Sequence, residues 1–167
     1  MKQRYQLREK AFSLKSSYVI KDPVGNEAYE IKGKFLSFGK KYSFREKGGK
    51  EIYIIEQRRT GNRQRFRILQ NGKNIAELTK DKGWMSDNFD LDIPGRNDYT
   101  ISGSFWKREY TFKRNRKVVA EVSKKRFTLG DTYGVEIEPN ENRPLILATA
   151  VIIDLMMEND KSRKEKK

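Results

Sequence analysis

The side chains best equipped to act on another molecule are cationic. Arg58, Arg59, Arg63, Arg65 and Arg67 fall at and after one hairpin end, and Lys107, Arg108, Lys113, Arg114, Arg116 and Lys117 flank another. A guanidinium is a planar fork that donates two parallel hydrogen bonds to phosphate or carboxylate oxygens, so such stretches are candidate anion sites. Strand alternation puts Arg63, Arg65 and Arg67 on one face as a stripe. A solvated outer face would carry the same pattern, and that is the plain alternative.

Acidic chemistry is sparser. Asp87, Asp90, Asp92 and Asp98 form the densest acidic group, and Asp90 and Asp92 share a strand face. A hard cation needs several carboxylate oxygens at close range, but the spacing does not fit an EF-hand loop and no glycine occupies the sharp-turn position. An exposed acidic face is expected there, and no metal site is assigned. Asp154 is the odd residue in an otherwise apolar run, Pro144 to Met157. A buried carboxylate needs a partner or a shifted pKa. It marks either a ligand site in the interior or a position near an opening, paired with a basic strand residue or water.

Other chemistry is excluded by what the chain lacks. With no Cys and no His there is no disulfide framework, no thiol nucleophile and no cysteine metal site. The commonest general base and commonest transition-metal ligand are missing too. No Gly-rich phosphate loop or nucleophile elbow occurs. The expectation is binding without a cofactor rather than catalysis. The net charge of +14 favours polyanions: nucleic acid, anionic lipid headgroups or acidic proteins. Aromatics interleave with the basic residues, as Phe66 between Arg65 and Arg67 or Phe112 beside Lys113, and would stack bases if they were exposed. Alternation sends Phe66 to the opposite face from its arginines, into the core, which counts against nucleic acid.

These side chains are positioned by a run of hairpins. Alternating segments lead through turns at Asp22–Asn26, Lys47–Lys50 and Gln70–Lys73 into further alternating segments. Asn71-Gly72 is the strongest turn signal, because a type I′ turn needs positive φ at both central residues. Phe89–Ile93, a turn at Pro94–Asn97, Tyr99–Ile101, and a hairpin around Arg114–Lys117 follow. Short pieces at Phe12–Leu14, Phe127–Leu129 and Tyr133–Ile137, with a turn at Asp81–Trp84, complete about eleven or twelve strands, enough to close a barrel. The run after Pro144 is apolar all round, as a helix buried on every side must be. At 145–157 it is shorter than the about 20 residues that span a bilayer. The start, Met1-Lys2-Gln3-Arg4-Tyr5, lacks the apolar stretch of a secretory signal, so a cytoplasmic protein is expected.

The hairpin repeat with its Asp22-x-x-Gly25 turn, the segment Asp131-Thr132-Tyr133-Gly134-Val135-Glu136-Ile137, and the helix Ala148-x-Ala150-x-x-Ile153-Asp154 together resemble the LURP-one-related proteins. These belong to a Tubby C-terminal-like group that also contains the phospholipid scramblases. The resemblance covers almost the whole chain and implies a barrel of about twelve antiparallel strands around a central C-terminal helix. Tubby domains bind phosphoinositide headgroups through basic residues, and scramblases act at membranes with calcium. Here the scramblase-like end Ile153-Asp154-Leu155-Met156 is present without a cysteine-rich palmitoylation segment. The acidic calcium stretch upstream of the helix is echoed only by Asp131 and Glu136, and no tubby headgroup residue is matched.

The resulting expectation is a mainly β fold: an antiparallel closed barrel built of hairpins around a buried helix at about 144–158. One domain spans 1–158 and a basic, flexible tail spans 159–167. The expected function is a non-enzymatic binding module that engages an anionic, phosphoinositide-like lipid headgroup at a membrane surface. The anion candidates are Arg58, Arg59, Arg63, Arg65, Arg67, Lys113, Arg114, Arg116 and Lys117. A protein-interaction scaffold with a basic solubilising surface is the alternative, and nucleic-acid binding ranks behind both.

Overall fold

The structure is a computed structural model that describes residues 1–9, 17–36, 39–60, 63–80, 88–95, 98–124 and 132–165, with backbone alone at 34–36, 39, 59, 60, 63 and 159–164. Twelve strands are followed by one helix. The strands are β1 (Gln3–Glu9), β2 (Ser17–Lys21), β3 (Glu27–Leu36), β4 (Gly39–Glu46), β5 (Glu51–Thr60) and β6 (Arg63–Gln70). Then come β7 (Lys73–Lys80), β8 (Phe89–Asp92), β9 (Tyr99–Ser104), β10 (Glu109–Arg114), β11 (Lys117–Ser123) and β12 (Thr132–Ile137), and the helix α1 (Arg143–Glu165). Each strand pairs with its chain neighbours, and β1 pairs with β12, so the sheet closes on itself and no edge is left open. The expected strand pieces Phe12–Leu14 and Phe127–Leu129 and the turn Asp81–Trp84 lie outside the described residues, as do Arg96 and Asn97.

Period-two alternation makes the wall. Leu7, Ile20, Phe44, Ile55, Phe66, Ile68, Leu78, Leu91, Ile101, Phe112, Val122 and Val135 are all fully buried on its inner face. Asn71 (φ 51°) and Gly72 (φ 76°) form the expected left-handed pair in the β6–β7 turn, and Asn115 (φ 51°) with Arg116 (φ 66°) repeats it in the β10–β11 turn. A register shift precedes four of the hairpin turns, at Ile20/Lys21, Phe44/Arg45, Ile68/Leu69 and Phe112/Lys113. The first three recur at a fixed interval of 24 residues (44 − 20 and 68 − 44). All four lie at the same end of the barrel, where such bulges tighten twist and help the sheet curl shut.

Connectivity defines two mouths. The upper one holds the turns at 22–26, 47–50, 71–72 and 115–116 and the entry to α1. The lower one holds the C-terminal ends of β1, β3, β5, β7, β9 and β11 and the β9–β10 turn. The helix starts at the upper mouth. The Asn142 side chain accepts a hydrogen bond from the Leu145 N–H (3.2 Å), which caps it, and Pro144 in the first turn forfeits no helical bond. Every residue from Leu145 to Met157 is buried. Burial of each Leu or Ile is worth about 1.5–3 kcal/mol, so the apolar plug and the wall enclosing it stabilise one another. The sequence predicts a helix ending at about Glu158, but α1 runs on to Glu165. The last stretch contains Lys161, Arg163, Lys164 and Glu165, residue types of good helix propensity.

Candidate functional site at the lower mouth

The inner phase of the wall turns polar as it reaches the lower mouth. On β1, Tyr5 and Leu7 point inward, and Glu9 is next in that phase. Register sets Glu9 opposite Tyr18 of β2 and Leu7 opposite Tyr133 of β12. From the helix, Asp154 and Glu158 stand one turn apart and so share a face. The carboxylates of Glu9, Asp154 and Glu158 come together with oxygens within 4.8 Å of one another.

Arg108 closes this group from the side. It lies in the β9–β10 turn with positive φ (53°), held there by a hydrogen bond from its N–H to the Phe105 carbonyl (3.1 Å). A left-handed non-glycine residue costs about 1–2 kcal/mol. The strained backbone directs the guanidinium at Asp154: Nε donates to Oδ1 (2.8 Å) and an Nη to Oδ2 (3.0 Å). The Tyr18 hydroxyl also donates to Oδ2, at 2.5 Å. The guanidinium carbon sits 4.8 Å from the Tyr133 ring centroid, a cation–π contact in a largely desolvated place.

The electrostatics follow from burial and neighbours. Burial, then the Asp154 charge, pushes the Tyr18, Tyr110 and Tyr133 hydroxyls well above their ordinary range, so all three stay protonated. Burial alone would lower Arg108, but its hydrogen bonds to Asp154 and that residue's charge outweigh it and hold the guanidinium above its usual value. Glu158 is pushed up to about 8 by burial, a hydrogen bond with Glu9, and the charges of Glu9 and Asp154. Tyr133 is fully buried and its hydroxyl has no hydrogen-bond partner among the described residues. The arrangement can hold a proton or a hard cation. Among the described residues it offers no activated nucleophile.

The nine basic candidates do not converge. Arg58, Arg59, Arg63 and Arg65 lie at the lower end of β5 and β6, whereas Lys113, Arg114, Arg116 and Lys117 lie at the upper end of β10 and β11. In the closed strand order these hairpins sit across the barrel from each other. Arg65 and Arg67 do point outward while Phe66 is fully buried, but both are paired: Arg67 with Glu56 (2.8 Å) and Arg65 with Glu77 (3.4 Å). Lys41 adds to the Glu56 pair at 3.1 Å, which makes a ladder of alternating charge across β4–β7. Arg58 is exposed and stands directly opposite Arg65. The side chains of Arg59 and Arg63 lie outside the described residues. At the upper mouth Arg114 binds Glu141 (2.6 Å), which also accepts from the Tyr99 hydroxyl (2.6 Å). Lys113, Arg116 and Lys117 are exposed. Arg114 and Lys117 edge an open groove of about 610 Å³ shared with Val118, Pro139 and Glu141. Phe112 is fully buried like Phe66, so neither offers a ring to a base.

The acidic candidates also separate. Asp90 and Asp92 lie on the outward phase of β8, Asp98 accepts from the Ile93 N–H (2.7 Å) at the upper mouth, and Asp87 lies outside the described residues. Of the pair Asp131 and Glu136, the first lies outside the described residues, and Glu136 binds Arg4 Nε (2.9 Å) on the outer face. Asp154 lies near a mouth and pairs with a basic residue, although that residue is on a turn rather than a strand. Glu9, Glu158, Tyr18 and Tyr133 are not among the site residues that the sequence offers, although Tyr133 falls in the segment that carries the family resemblance. Two signals for them exist: Glu9 continues the inward phase of Tyr5 and Leu7, and Glu158 is four residues after Asp154.

Comparison with known proteins agrees with this architecture. The chain is 30% identical over 154 residues to the protein YxjI of Bacillus subtilis (strain 168), covering 92% of this chain and 93% of that one. Its fold matches the X-ray structure of a protein from Arabidopsis thaliana with a TM-score of 0.68 at 17% identity, over 92% of this chain and 91% of the other. The LURP-one-related family model matches residues 3–154, from the first wall strand to the helix aspartate. The chain belongs to the LURP-one-related family.

Proposed function

We propose that this protein is a non-enzymatic, Tubby-like binding module in the cytoplasm that meets an anionic lipid headgroup at a membrane surface with the rim of its lower mouth. The observation that carries this reading is Trp106, 51% exposed on the β9–β10 turn and followed by the exposed Lys107. An indole beside an ammonium suits the boundary between headgroups and acyl chains, where one end is apolar and the other wet. Exposed Lys40, Arg58 and Lys124 lie on the same rim. The opposition of Arg58 and Arg65 supports the reading too, since like charges facing each other across strands destabilise a sheet. Each basic side chain near an anionic leaflet is worth about 1 kcal/mol. The ion-paired ladder on β4–β7 has the character of a solubilising face, which confines the proposal to the rim. No helix among the described residues is long and apolar enough to cross a membrane.

The test is vesicle sedimentation with phosphatidylcholine alone and with added phosphatidylserine or phosphoinositide, across a salt series. Binding is expected to rise with anionic lipid and to fall steeply as salt screens the charge. Equal binding to neutral and anionic vesicles at low salt would refute the reading in favour of the scaffold alternative. Filter binding to DNA or RNA that persists at physiological salt would favour nucleic acid instead.

A further inference from the structure

We propose that Glu9, Asp154 and Glu158 form a binding site for a hard divalent cation, calcium above magnesium. The three carboxylates come from distant points in the chain, the end of β1 and two turns of α1, yet their oxygens lie within 4.8 Å of one another. Carboxylate clusters occur on many surfaces without binding anything, but this one differs in its surroundings. It stands at the rim of the barrel interior, with Asp154 buried and Glu9 and Glu158 half-buried, so both the core and solvent reach it. Among the described residues, Arg108 on the β9–β10 turn faces it and neutralises Asp154.

Independent support comes from Tyr133. Its hydroxyl is fully buried and lacks a hydrogen-bond partner among the described residues, although Asp154 and Glu158 both act on it electrostatically. A buried hydroxyl left unpaired costs about 1–3 kcal/mol. A water bound to a cation among the carboxylates would give that hydroxyl an acceptor or a donor. The neighbouring Tyr18 hydroxyl is already committed to Asp154 Oδ2, so it does not compete for the water. Arg108 takes one bond on Asp154 Oδ1, which leaves that oxygen a free lone pair.

The donor set selects the metal. It is all oxygen, in a chain with no His and no Cys, which disfavours zinc, copper and nickel. Calcium accepts about six to eight oxygens in irregular geometry and fills the remainder with water, whereas magnesium demands a near-ideal octahedron. Ligands fixed from two elements, with Glu9 and Glu158 half-buried, suit the more tolerant ion. The site does not depend on the membrane reading, since its ligands are carboxylates and include none of the exposed rim cations.

The test uses the full chain, stripped with chelator, in isothermal titration and thermal unfolding with calcium chloride and, separately, magnesium chloride. Saturating calcium is expected to raise Tm by about 5 °C, with a smaller effect of magnesium. Terbium in the calcium site should luminesce when the tyrosines are excited. E9Q and E158Q, which remove like-charge repulsion and so retain the fold, should each weaken calcium at least tenfold. No Tm shift at millimolar calcium, or a shift kept in both variants, would overturn the proposal.

Discussion

Replacing Asp154 by Leu removes the ion-pair partner of a guanidinium that is only 14% exposed and the acceptor of a buried tyrosine hydroxyl. Breaking a buried pair from one side costs about 3–5 kcal/mol, because the abandoned charge stays in the low-dielectric interior. The Tyr18 hydroxyl adds about 1 kcal/mol, and relief of repulsion on Glu158 returns part of the total. A net loss near the lower figure, about 3 kcal/mol, corresponds to a fall in Tm of about 6–12 °C for a chain of this size. R108M should cost a similar amount, since it strands Asp154 beside Glu158 and Glu9. The double variant R108M/D154L removes both charges together and should lie within about 1 kcal/mol of the wild type. Urea unfolding of all four proteins in chelator gives the coupling energy directly. Single variants within about 0.5 kcal/mol of wild type, or a double variant equal to their sum, would refute the claim that this pair anchors the plug to the wall.

Gly103 (φ 143°) admits no side chain: a Cβ there would lie 2.6 Å from both the Glu109 carbonyl oxygen and the Tyr110 Cα, so G103A should lose about 3 kcal/mol or more in denaturant unfolding. Glu158 has a folded pKa of about 8, above its unfolded value, so the native state holds the extra proton; its contribution to stability is full below the unfolded pKa and is lost as pH rises through about 8. In chelator, Tm should therefore decline from pH 5 to pH 9, and E158Q should flatten that slope. R58E at the lower mouth should weaken anionic-vesicle binding by about tenfold, whereas R116E at the upper mouth should change it little, because only the first lies on the proposed rim.

The wall was legible because its signal is local. Period two from Tyr5 to Ile137, punctuated by Asn71-Gly72 and its counterparts, reports strands and turns residue by residue. The helix was legible because a run apolar on every side, too short for a bilayer, must be enclosed. The meeting of Glu9 with Asp154 and Glu158 was hidden, since it depends on barrel closure between β1 and β12 and on the phase of a helix threaded through the middle. Arg108 was hidden for a further reason. It reads as one cation in a basic cluster, and nothing local shows that a left-handed turn aims it inward, away from Lys107. The parting of the two arginine clusters was open to a counting argument. Successive connections alternate between mouths, so the β5–β6 and β10–β11 turns fall at opposite ends. Which side of the wall each occupies required the closed strand order.

The most direct measurement on the membrane claim is the position of Trp106 itself. With Trp84 replaced by Phe, Trp106 is the only indole left of the 2 in the chain. Its fluorescence is then recorded with vesicles carrying brominated acyl chains. The account predicts quenching and a blue shift with anionic vesicles at low salt, and neither with neutral vesicles. Full binding to anionic vesicles with Trp106 unquenched would contradict it, because some other face of the barrel would then be meeting the membrane.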